Sequence, residues 1–72
     1  MNRDEAIALL RQIATSVRFG FDWISLVEKE AGCEIHIKPE MSCDPDILEP
    51  FFENRDLQMK EVNGVLVIYR EH

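Results

Sequence analysis

Four side chains of this sequence, Cys33, His36, Cys43 and His72, are of types that ligate metal. A tetrahedral zinc site needs them to converge. Cys33 and His36 lie in "CEIHIKP" (33–39), where apolar and polar residues alternate, so an odd separation sends the two side chains to opposite faces of a strand. The pattern also lacks a C-x-x-C pair, and no metal or other cofactor is expected. The acidic run Asp44-Pro45-Asp46 with Glu49 has neither the glycine turn nor the ligand spacing of a calcium loop. Cys43 with a histidine could make a nucleophile–base pair, but nothing orients a third group. Ser16, Ser25 and Ser42 have no G-x-S-x-G context, and Gly20, Gly32 and Gly64 do not make a phosphate loop. These residue types and spacings point away from an enzyme.

The elements that must position these residues belong to a single domain spanning 1–72, since so short a chain has no room for a second. Asn2 with Glu5 forms an N-x-x-E capping box. Ala6, Leu9, Leu10, Ile13 and Val17 recur at helical spacing, predicting a first helix over about 3–17. The stretch "RFGFDW" (18–23) carries three of the six aromatic residues. Taken as an N-cap, Asp22 predicts a second helix with Trp23, Ile24, Leu26, Val27 and Ala31 on its apolar side and Gly32 as its stop. The aromatic residues then form a hinge between two helices, with Phe21 stapled to Leu26.

Cys33 to Pro39 reads as a strand. Asp44 and Pro45 open a third helix, kinked at Pro50, with Ile47, Leu48, Phe51 and Phe52 inward. Asn63-Gly64 between two apolar runs predicts a type I′ hairpin that pairs Val62 with Val65 and Met59 with Ile68. The last strand is apolar on both faces and is expected in the middle of the sheet. The expected fold is therefore α+β, with three helices on a three-stranded antiparallel sheet, element order α-α-β-α-β-β and sheet order 1-3-2. That element order resembles a winged helix, an analogy of arrangement alone.

Charge narrows the function classes. The net charge is −6, and residues 22–56 hold ten acidic and three basic groups. A recognition helix bearing Asp44, Asp46, Glu49 and Glu53 would repel phosphates, which argues against nucleic acid. No apolar run reaches the ~18 residues of a membrane helix, and "MNRDEAIA" at the start is unlike a secretory leader. With two cysteines, too few for a disulfide framework, this points to the cytoplasm.

The sequence thus reads as a small acidic protein-interaction module, a regulator, inhibitor or adaptor. It would present Glu40, Asp46, Glu49 and Glu53 to a basic protein partner, with Trp23 as an apolar anchor. The alternative is a self-associating subunit, a homodimer through Val65, Val67 and Tyr69 on one face of the last strand. A degenerate winged-helix DNA-binding protein is the minority reading.

Overall fold

Asn2 stands at the head of the helix in extended conformation, and its Oδ1 accepts the Glu5 N–H at 2.7 Å. The helix that follows, α1, spans Arg3–Ala14. Asp4 and Glu5 sit in its first turn and Arg11 in its last, matching the helix dipole. Thr15 closes it, its N–H and Oγ1 both donating to the Arg11 carbonyl, at 3.0 and 2.8 Å. Ala6, Leu9 and Ile13 form the buried stripe. The computed structural model describes residues 1–15, 20–40, 46, 48, 50 and 56–70, so the expected Val17 contact lies outside them.

The described residues contain one helix and four strands, in place of three helices on three strands. The strands are β1 (Phe21–Lys29), β2 (Gly32–Pro39), β3 (Gln58–Val62) and β4 (Val65–Tyr69). They form one antiparallel sheet in the order β1-β2-β4-β3. The expected second helix is strand β1. Its nine residues include Phe21, Trp23, Ile24 and Val27, aromatic or β-branched types that suit a pleated surface. Ile24 and Leu26 alternate with Trp23, Ser25 and Val27, a period of two that coexists in this stretch with helical spacing. The winged-helix-like arrangement falls with that helix, because it needs two consecutive helices before the sheet. The third helix was expected mostly on residues outside the described ones. Of its members, Asp46 is exposed and Leu48 is fully buried in the core.

Asp22 has a different role from the expected cap. Phe21 pairs with Pro39 and Trp23 with Lys38, so Asp22 is the extra residue of a β-bulge. Simple alternation would put Phe21 and Trp23 on the same face. The bulge instead turns Phe21 toward the core while Trp23 points away from it. Phe21 and Trp23 thus belong to a bulged strand start and not to a hinge between helices, while Phe19 lies outside the described residues.

Gly32 follows the two-residue turn Glu30-Ala31, with φ of 133°. A Cβ there would lie 2.8 Å from the Met1 carbonyl oxygen, which accepts the Cys33 N–H at 2.7 Å. The residue expected to stop a helix therefore lets Met1 close on β2. At the other hairpin, Asn63 and Gly64 have φ of 53° and 80°, the backbone that a type I′ turn requires. Val62 pairs with Val65 and Met59 with Ile68, as the sequence predicts, and β4 lies between β2 and β3.

The sheet packs one face against α1. Cys33, Ile35 and Ile37 of β2 and Leu66 and Ile68 of β4 join Ala6, Leu9 and Ile13 in the core. Ile24, Leu26 and Met59 flank them. The core is thus a helix on one side of a four-stranded sheet, and the opposite sheet face is a separate surface.

Candidate functional site

Alternation along the four strands decides which residues occupy the face turned away from α1. Trp23, Ser25, Val27 and Lys29 come from β1, and Glu34, His36 and Lys38 from β2. Val65, Val67 and Tyr69 come from β4, and Gln58, Lys60 and Val62 from β3. One row runs straight across the sheet, Ser25 to His36 to Val67 to Lys60. Among the described residues, Trp23 and Val62 are the large apolar side chains left most exposed, at 44% and 47%. With Val65 and Val67 they border a shallow concavity of about 400 Å³, closed on its other sides by His36 and Lys60.

The polar groups of this face are mutually engaged. His36 Nε2 is 3.0 Å from Glu34 Oε1, and since an ionised carboxylate only accepts, the imidazole N–H is the donor. Lys29 Nζ lies 3.9 Å from the same oxygen. Lys60 Nζ sits 4.9 Å from the centroid of the Tyr69 ring, a cation–π contact, and the Tyr69 hydroxyl donates to Gln58 Oε1 at 3.2 Å. Lys38 pairs with Trp23 across the strands, its Nζ close to where a Gly64 side chain would begin. Lys29, Lys38 and Lys60 are all the lysines of the chain. A protein of net charge −6 therefore gathers every lysine on one sheet face, where Glu34 is the one carboxylate among the paired residues of the described strands.

The comparisons with known proteins add nothing to this geometry. No protein-family model, curated protein or solved structure matches the chain.

The residues singled out by sequence divide between two places. Trp23, Val65, Val67 and Tyr69 share the open sheet face, a grouping that joins the anchor of one expected surface to the dimer face of the other. Glu40 follows β2 and is exposed, and its N–H donates to the Gly20 carbonyl at 3.1 Å. Asp46 is exposed two residues before the buried Leu48. Glu49 and Glu53 lie outside the described residues. Trp23, placed by sequence in a helical first turn beside the acidic patch, belongs instead with the lysines.

Cys33 is a free, buried thiol on the core face, and His36 is on the other. Among the described residues, no three His, Cys, Asp or Glu side chains converge as a metal site would require. None of the described helices is long and apolar enough to cross a membrane.

Sequence reasoning missed Lys29, Lys38 and Lys60 as a group. They are nine and twenty-two positions apart, and only strand pairing brings them together. The period-two signal in β2 places Lys38 on the face of His36, but Lys29 could not be placed while β1 read equally well as a helix.

Proposed function

We propose that this protein is a small interaction module that binds a macromolecular partner through its open sheet face. The observation that carries this reading is the clustering of Trp23 and Val62, both nearly half exposed, around one concavity on the face opposite α1. A small domain has little apolar surface to spare, and a contiguous apolar patch rimmed by polar groups is the usual form of a docking site. Trp is also the residue type most enriched where binding energy concentrates.

The reading is of a binding module and not of an enzyme. The concavity is lined by valines, a tryptophan and lysines, with His36 engaged by Glu34, while the Cys33 thiol is turned into the core on the other side. A free buried thiol suits a reducing compartment, which supports the cytoplasm. In this reading the acids Glu40 and Asp46 keep the protein soluble and steer it, and the sheet face holds the partner.

Self-association through Val65, Val67 and Tyr69 would use this same face. A two-fold dimer would then bring the lysine cluster of one copy against that of the other, and like charges placed opposite each other disfavour it. Affinity capture from the cells that make the protein tests the proposal. A Trp23→Ser/Val62→Ser variant should lose the partners that the wild type and an Arg11→Glu variant both retain. Retention by all three proteins would overturn it.

A further inference from the structure

We infer that the occupant of the open sheet face is an acidic peptide segment carrying a large apolar side chain, a choice that rests on the docking role proposed above. The floor of the concavity is apolar, with Trp23, Val65 and Val67, and it is the part suited to an anchoring side chain. The rim is cationic. Lys29 and Lys60 line the concavity from β1 and β3, and Lys38 stands beside Trp23 on β2, so positive charge reaches this face from three strands.

Glu34, the carboxylate that strand pairing places on this face, does not cancel that charge for an incoming ligand. Glu34 Oε1 already accepts from His36 and has Lys29 Nζ 3.9 Å away. An approaching carboxylate therefore meets ammonium groups first. The net charge of −6 resists an acidic ligand at long range, but at physiological salt fields are screened beyond about 8 Å and the local lysines decide the contact.

Single-stranded nucleic acid is the competing ligand for a sheet face with aromatic and basic residues. It fits less well. Base stacking needs free ring faces, and the Tyr69 ring is already covered by Lys60 at 4.9 Å, which leaves Trp23 as the one open platform among the described strands. A continuous phosphate chain would also extend beyond three lysines into the field of the remaining acids.

Titration of the ¹⁵N-labelled protein, read by amide shifts, tests the inference with four probes. The first is a peptide of about 12 residues, alternating Glu and Asp around a central Phe-Leu pair. The second carries Lys in place of every acid, and the third is the acidic peptide with Ser in place of Phe-Leu. The fourth is a thymidine oligonucleotide of about the same length.

The first peptide should shift the amides of Trp23, His36, Lys60 and Val67, and should bind at least about tenfold more tightly than the second or third. Lys38→Glu/Lys60→Glu, two surface changes checked for folding by the dispersion of the same spectra, should remove most of that advantage. So should about 0.5 M salt, where screening shortens to roughly 4 Å. Equal binding of the first two peptides to this face would overturn the acidic preference and leave the docking role standing. No shift on this face with any probe would count against both. Tighter binding of the oligonucleotide than of the acidic peptide would overturn the inference in favour of nucleic acid.

Discussion

Glu5, in the first turn of α1, and Arg70, directly after β4, form a two-pronged ion pair. Arg70 Nη1 and Nη2 donate to Glu5 Oε1 and Oε2 at 2.9 and 2.6 Å. The pair joins residues 65 positions apart and fastens the start of the helix to the end of the central strand. Glu5 also takes part in the helix cap through its backbone, its N–H donating to Asn2 Oδ1, while the carboxylate expected to reach back to Asn2 is bound by Arg70 instead. One acid thus serves a local cap and a tertiary tie, and the tie helps keep α1 on the core face, which leaves the other face open.

The Arg70 guanidinium bound to Glu5 holds its carboxyl below the ordinary value of 4.5, against a smaller opposing effect of burial. Glu5 is therefore more acidic folded than unfolded. Its stabilisation is complete above about pH 4.5 and is lost as pH falls through the lower folded value. Both side chains keep about 30% of their surface in water, so the effect is modest. Glu5→Gln should cost about 0.5–1.5 kcal/mol in urea unfolding near pH 7. That difference should shrink as pH falls below about 4.5 and vanish once the folded carboxyl is protonated. A difference unchanged by pH would show that the carboxylate charge is not what the tie uses.

Asp22 distinguishes a bulged strand from a capped helix. As the extra, exposed residue of a bulge its side chain carries little, so Asp22→Ala should change stability by less than about 0.5 kcal/mol. Loss of a helix N-cap would instead cost about 1 kcal/mol. Deleting Asp22 should also be tolerated, at a cost below about 1 kcal/mol, because without the extra residue plain alternation keeps Phe21 opposite Pro39 on the core face and Trp23 opposite Lys38 on the other. Denaturant midpoints of the two variants measure both. A costly alanine together with a deletion that unfolds the protein would contradict the bulge.

Gly32→Ala should destabilise by about 1–3 kcal/mol, since its φ of 133° disfavours any side chain and its new Cβ would press on the Met1 carbonyl. Ala31→Gly, one residue earlier in the same turn, is the control and should cost less than about 1 kcal/mol. Thermal unfolding of the pair is sufficient to compare them. Equal midpoints would mean that the contact between Met1 and β2 does not constrain Gly32.

Much of this fold could be read from the chain because some signals are local. Asn2 and Glu5 mark the start of α1, the alternation from Cys33 to Lys38 marks β2, and Asn63-Gly64 sets the register of β3 on β4. Strand β1 could not be separated from a helix by spacing alone. Asp22 is as good a cap as a bulge residue, and Gly32 as good a helix stop as a hairpin glycine, until the partner strand is known. The extra strand changed the functional reading more than the fold class. It moved Trp23 to the face of Val65 and Val67, and it brought Lys29 beside Glu34. Charge counted along the chain shows an acidic middle, while charge counted across the sheet shows a cationic face.

The docking role of that face is tested most directly by site-specific photocrosslinking in the cells that make the protein. A benzophenone side chain at position 62, beside the concavity, is compared with one at position 11, on the exposed side of α1. Position 62 should yield a discrete crosslinked partner that position 11 does not. Adducts from position 11 alone, or the same adducts from both positions, would contradict a sheet-face interaction module.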